Sequence, residues 1–219
     1  MAATTVTALD KSKTVTRAYN FEMRAGNDET NGDHLEGRPI VYDSMTDLGY
    51  FSEIIERGAL KETNLKDVRF LVNHNTDMIP LARSRNNNNN STMQMTVDND
   101  GMGIRVNLDT ENNTDAKNLY SAIKRGDISG MSFMFSIDDE EWENLESDHP
   151  TRHIRKIGEV LEVSAVTFPA YESTEISARA KETLDSVKTT LDSVRAKSLD
   201  NDCTDLGLEK LKAHYLFNV

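Results

Sequence analysis

Between residues 19 and 177 short apolar runs alternate with turn signals, and from 178 onward the pattern changes to a helical one. Val68, Phe70 and Val72 alternate with Arg69, Leu71 and Asn73, the period of a strand partly buried on both faces. If that strand continues, Val72 and His74 share a face. A loop with Pro80 follows, then five consecutive asparagines at 86–90, read as an exposed hairpin tip. Met93, Met95 and Val97 alternate, Asp98-Asn99-Asp100-Gly101 supplies a turn, and Ile104, Val106 and Leu108 alternate again, which predicts a hairpin. Ala116, Leu119, Tyr120 and Ile123 fall at helical spacing, with Thr114 placed as the cap, Lys124 and Arg125 in the last turn and Gly126 as the stop. A shorter helix is expected around 53–62.

Two more strands follow. Residues 130–137 put Met131, Phe133, Phe135 and Ile137 on one face and Ser132, Met134 and Ser136 on the other. Residues 138–148 are acidic and read as a loop; 160–168 form a strand closed by Pro169, with Val160, Glu162, Ser164 and Val166 on one face. The tail repeats LDSVKTT as LDSVRAK, so that Leu184, Val187, Leu191 and Val194 take a/d-like spacing. Two heptads fall short of a coiled coil, and a docking or weakly self-associating helix is expected. The chain therefore divides into an N-terminal arm (1–16), a β-rich body (17–177) and a helical tail (178–219).

Composition narrows the function. With its 11 glycines the apolar share is about 42%, a little under the ~45–50% of globular domains, so part of the chain is expected outside a packed core. The net charge of −12 argues against a nucleic-acid surface, which needs clustered Lys and Arg. The single cysteine, Cys203, excludes a disulfide within the chain and fits a reducing cytosol. No stretch has the length of a signal peptide or a membrane span, so a soluble protein without membrane contact is expected. His149 and His153 have an H-x3-H spacing, but nothing completes four zinc ligands, and neither a metal nor a cofactor is expected.

Three residues could carry chemistry. Ser132 points away from the apolar trio of its strand, yet a serine is a nucleophile only beside a base, and a strand serine on its own is most often structural. His74 ends its strand, where an imidazole can take and return a proton near neutral pH or simply serve as a surface residue. Glu162 stands among strong β formers; it either faces water on an edge or, if buried, needs a partner such as an imidazolium.

Their arrangement resembles the HK97-type phage prohead protease family. Gly37-Arg38-Pro39-Ile40-Val41-Tyr42-Asp43-Ser44 and Glu56-Arg57-Gly58-Ala59-Leu60 resemble its opening, and Phe70-Leu71-Val72-Asn73-His74-Asn75 its histidine strand. Lys124-Arg125-Gly126 through Gly130-Met131-Ser132-Phe133-Met134-Phe135 resembles its serine segment. Val160-Leu161-Glu162-Val163-Ser164-Ala165-Val166-Thr167-Phe168-Pro169-Ala170 is very similar to its L-x-E-V-S-x-V-T-F-P-A segment. The resemblance runs over about 19–177. It implies a mainly β, α+β fold with packed helices, a closed or nearly closed assemblin-like β-barrel, followed by the helical tail. It also implies a serine endopeptidase that works inside the viral prohead in the host cytoplasm. Its substrates would be the scaffold and the major capsid protein's scaffolding segment, and often the protease itself. The family positions fall on His74 as base and Ser132 as nucleophile, with Glu162 as third member; herpesvirus relatives use a histidine there, which keeps His153 as an outside candidate. Met134 departs from a family glycine and would narrow the site. An assembly protein that kept the fold without activity is the main rival, and an unrelated β-barrel hydrolase is a third reading.

Overall fold

The computed structural model describes residues 14–19, 23–29, 32–167, 181–189 and 192. The body is mainly strand: β1 (Thr14–Tyr19), β2 (Arg24–Asp28), β3 (Gly32–Val41), β4 (Met45–Asp47), β5 (Ser52–Ile55), β6 (Asp67–Val72), β7 (Ala82–Arg85), β8 (Met93–Asp98) and β9 (Gly101–Asn107), then helix α1 (Thr114–Arg125), β10 (Gly130–Glu143) and β11 (Thr151–Val166). The long hairpin β10–β11 is the spine of a seven-stranded sheet. β1 pairs antiparallel with the outer edge of β10. The other edge of β11 takes two parallel partners in turn, β5 against Thr151–Ile154 and β6 against Glu162–Ala165; β4 and β7 extend these as antiparallel neighbours. The second sheet has four strands in the order β2-β3-β9-β8.

The core lies between the sheets. Met131, Phe133, Phe135, Val160 and Val163 from the spine meet Met93, Met95, Met102, Ile104 and Val106 from the hairpin β8–β9, and α1 adds Ala116, Leu119 and Ile123. The period-two reading holds on β8, β9 and β10, where each inward residue escapes water while its neighbour stays on the opposite face; on β11 it breaks at a register shift beside Leu161, so that Val160, expected on the face of Glu162, joins Val163 in the core. The β8–β9 turn needs its glycine: Gly101 has φ 138°, and a Cβ there would fall 2.0 Å from the Ile40 carbonyl oxygen. α1 forms where its apolar spacing indicates, but its cap is Asn113 rather than Thr114. The Asn113 side chain accepts from the N–H groups of Asp115 (2.9 Å) and Ala116 (3.2 Å).

The expected closed barrel is not formed among the described residues; the two sheets are separate ladders. Isolated hydrogen bonds span their seams: Met23 N–H to the Ser129 carbonyl (3.2 Å) at one, Arg83 N–H to Thr92 Oγ1 (2.9 Å) at the other. The asparagine run is exposed as expected, but it is not a hairpin tip. It carries the chain from β7 in one sheet to β8 in the other. Asn87 anchors it, with its side-chain amide accepting from Met95 N–H and donating to Met95 O, both at 2.8 Å. Asn86 and Asn87 hold φ of 50° and 51°, a conformation asparagine tolerates.

The helix expected at 53–62 is absent, since Ser52–Ile55 is a strand held by its parallel ladder to β11. The acidic run at 138–148 is not all loop either: β10 continues to Glu143 because β11 begins at Thr151 and supplies opposite charges. Lys156 lies across from Asp139, Arg152 bonds Glu140 (2.7 Å from Nε), and Arg155 pairs with Glu141. A satellite cluster of Leu48, Phe51, Trp142 and Leu145 receives Leu184 from the helical segment 181–189, with Val187 packed alongside. Two of the four a/d-like positions thus face the body of the same chain. Leu191 and Val194, like Phe168, Pro169, Cys203 and His214, lie outside the described residues.

Candidate active site

The site face is the side of the spine turned away from the core. Along β10 it carries Ser132 and Met134; along β11 it carries Glu162 and Ser164, with Ser132 directly opposite Ser164 and Met134 opposite Glu162. The alternate residues Met131, Phe133, Val163 and Ala165 go to the core. β6 continues the face on the far side of β11, with Arg69 beside Glu162 and Leu71 beside Ser164.

His74 reaches this face by a turn rather than by strand continuation. β6 stops at Val72, and Asn73 and His74 adopt left-handed φ of 51° and 56°. Asparagine suits that conformation, and tertiary contacts fix it. Asn73 N–H donates to the Ala165 carbonyl (2.9 Å), its side-chain amide donates to Thr167 Oγ1 (3.0 Å), and its side-chain oxygen accepts from Thr167 N–H (2.9 Å). The expectation that Val72 and His74 share a strand face is therefore replaced by a sharper arrangement. The turn lays the imidazole over Glu162, with Nδ1 in direct hydrogen-bond contact with Oε1. The other oxygen of Glu162 accepts from Ser164 Oγ at 2.6 Å, and Ser164 Oγ itself accepts from His74 N–H at 3.1 Å.

Glu162 is 4% exposed. A carboxylate so far from water needs both oxygens satisfied, and Ser164 and His74 do this. The contact also fixes the imidazole: with Nδ1–H directed at the carboxylate, the lone pair stays on Nε2.

Ser132 is fully buried, and its hydroxyl donates to the Arg17 carbonyl of β1 at 2.8 Å. No hydrogen bond joins it to His74 among the described residues. The structure thus gathers Ser132 from β10, Ser164 and Glu162 from β11 and His74 from the turn after β6, with Ser164 between the serine and the histidine. His153 is not part of this group. It sits at the opposite end of β11, across from Glu141, with Nδ1 3.1 Å from Glu56 and Nε2 3.4 Å from Glu143. His149 faces Ser52 Oγ at 3.1 Å. Arg83 binds Asp67 through Nε (2.6 Å) and Nη2 (2.8 Å). Met134 lies on the same face as Ser132, the placement expected of a residue that narrows the site.

Sequence reasoning passed over Ser164, Asn73 and Arg17. The i, i+2 spacing of Glu162 and Ser164 on one strand was the available signal for the first, and an asparagine ending a strand ahead of a histidine for the second. Nothing in the sequence marks a backbone carbonyl of β1 as the partner of the Ser132 hydroxyl.

A model of the caudovirus prohead serine protease family matches residues 19–190. No curated protein and no solved structure was found to match the chain.

Proposed function

The chain belongs to the caudovirus prohead serine proteases, the proteases of capsid maturation, and from that premise we propose that Ser132 is its nucleophile, His74 its general base and Glu162 the residue that positions His74. The observation that carries this reading is the clamp on Glu162, whose two buried oxygens engage the imidazole Nδ1 and the Ser164 hydroxyl. As Ser132 Oγ attacks the carbonyl carbon of the scissile peptide, Nε2 of His74 takes the hydroxyl proton. Collapse of the tetrahedral adduct breaks the C–N bond, and the same proton passes to the departing amine. Water, deprotonated by His74, then hydrolyses the acyl-enzyme and restores the serine. Glu162 holds the ring and stabilises the imidazolium in both halves. For the first step the Ser132 hydroxyl must leave the Arg17 carbonyl, which a rotation about its Cα–Cβ bond accomplishes.

The substrates in this reading are the scaffold, the scaffolding segment of the major capsid protein and the protease's own chain, cut inside the immature shell in the host cytoplasm. No helix among the described residues is long and apolar enough to cross a membrane. One observation favours the rival reading, an assembly protein without activity: Ser132 is fully buried and bonded to Arg17 rather than to His74.

Intact mass followed over time after expression, for the unaltered protein and Ser132→Ala, separates the two. Shortening of the unaltered chain alone establishes self-processing. Stability of both, even with scaffold and capsid protein added, favours the assembly role. Equal shortening of both rules out Ser132 as the nucleophile.

A further inference from the structure

The site face does not end at Glu162. The register carries one row of side chains across four strands: Met134 on β10, Glu162 on β11, Arg69 on β6 and Arg83 on β7. Val68 and Phe70 of β6 and Ala82 of β7 turn to the core, so Asp67, Arg69, Arg83 and Arg85 share the face with Ser132 and Glu162. Asp67 is the carboxylate at the centre of this group. It accepts from both Arg83 nitrogens and from Arg69 Nη2 at 3.1 Å. The hydrogen bond from Arg83, more than any other contact, holds the Asp67 carboxyl below the usual range. One negative charge therefore answers three guanidinium groups, while the neighbouring Glu162 is committed to His74 and Ser164. In a chain of net charge −12 this is a local excess of positive charge, directly beside the site.

The arginines are also available. Arg69 and Arg83 have side chains 43% and 39% exposed. Arg69 spends one of its five N–H donors on Asp67, and the Arg85 guanidinium makes no hydrogen bond among the described residues. From Ser132 to Arg69 is two strand spacings across and two residues along, about 10 Å and about 7 Å. An extended peptide with its scissile bond at Ser132 passes Arg69 within about four residues of the cut.

Building on the protease reading above, we propose that Arg69 and Arg83 form a specificity subsite that accepts an acidic side chain, Asp or Glu, of the substrate peptide. The fork of a guanidinium matches a carboxylate, and Asp67 holds the pair in place without cancelling it. A carboxylate docked there is oriented by charge-assisted bonds, so the subsite acts on the choice of cut position rather than on the chemical step.

The test begins with digestion of a proteome-derived peptide library and sequencing of the cut ends. Asp or Glu should be enriched at a fixed position within four residues of the cut. Matched peptides with Glu or Gln at that position should differ in kcat/KM. Arg69→Gln, which leaves the Arg83–Asp67 pair intact, should reduce that ratio about tenfold, and Arg69→Glu should turn the preference toward Lys. No acidic enrichment, or a ratio unmoved by either substitution, overturns the subsite. Binding supplies a readout independent of turnover: fluorescent peptides carrying Glu or Gln at each position in turn, titrated by anisotropy onto Ser132→Ala with and without Arg69→Gln. If the unaltered protein cuts no peptide, the protease reading falls and binding alone decides. A Glu preference lost with Arg69 then sustains the acidic subsite, and equal binding removes it too.

Discussion

Glu53 and Glu162 lie in the same seven-stranded sheet, 1% and 4% exposed. Both are carboxylates that water cannot solvate, and the sequence around them looks alike, an acid among Ile, Leu and Val. Their partners differ in kind. Glu53 is held by Arg17, at 2.5 Å and 2.8 Å to its two oxygens, and by Arg152 at 3.4 Å. Arg152 in turn binds Glu140 and lies over the Trp142 ring at 5.6 Å. Glu162 is held by a histidine and a serine. Guanidinium stays charged at any pH a protein survives, so the first cluster is a fixed tie between β1, β5, β10 and β11. Imidazole as a class gains and loses its proton near neutrality, and in the proposed mechanism the second cluster is the one that hands a proton on. The contrast teaches that a buried acid in a strand marks a special site only through the titration behaviour of what faces it.

The sharpest way to break this comparison is to neutralise each glutamate in turn. Glu162→Gln should lower kcat about 10⁴-fold, because the ring loses the acceptor that fixes its tautomer. The loss of urea stability should be small. Glu162→Asp should recover part of the rate, which a merely structural role would not give. Glu53→Gln should do the reverse: kcat on a peptide held near its control value, and a stability loss of about 3–5 kcal/mol, since Arg17 and Arg152 lose the buried carboxylate they share and Arg152 keeps only Glu140. Comparable rate losses in the two variants would falsify the division between tie and proton relay.

The acid limb of stability sharpens the same point. Burial pushes the Glu53 carboxyl up, but Arg17 and Arg152 outweigh it and hold it below the usual carboxylate range. A folded-state value below the unfolded one of about 4.3 stabilises the protein fully above that pH, and the contribution is lost as pH falls through the folded value. Urea midpoints of the unaltered protein and Glu53→Gln should therefore differ by a constant amount above about pH 5, and the difference should narrow progressively as pH falls below about 4. A gap that does not narrow at all as pH falls below about 4 would place the stabilisation in packing rather than in charge.

How much of this the sequence discloses follows from the range of the forces involved. The faces of β8, β9, β10 and the end of β11 were legible because a two-residue alternation is local and burial enforces it. His74, Ser132 and Glu162 could be named from motif order, and the structure brings them to one face. The strand at Ser52–Ile55 was misread as helix because its conformation is set by a parallel ladder to residues a hundred positions away. The acidic half of β10 was misread as loop for the same reason: Arg152, Arg155 and Lys156 make it a strand, and no window around 138–143 contains them. The Arg69–Arg83 row is invisible in sequence, since it exists only through the register of three strands.

The smallest effect concerns the turn that delivers His74. Asn73 holds φ 51° and closes a reciprocal pair of bonds with Thr167. Asn73→Ala loses both bonds and places a Cβ without a compensating side chain in the left-handed region, at a cost of about 1–2 kcal/mol. Asn73→Gly loses the bonds but tolerates the conformation, and should recover about half of that stability. If the turn serves only to end β6, both variants will show unchanged kcat. If it sets the imidazole over Glu162, kcat will fall in both, and further in Asn73→Gly than its stability would suggest, because the more flexible backbone holds the ring less firmly. Stability and rate then rank the two variants in opposite order, a result that a turn needed only for folding does not produce.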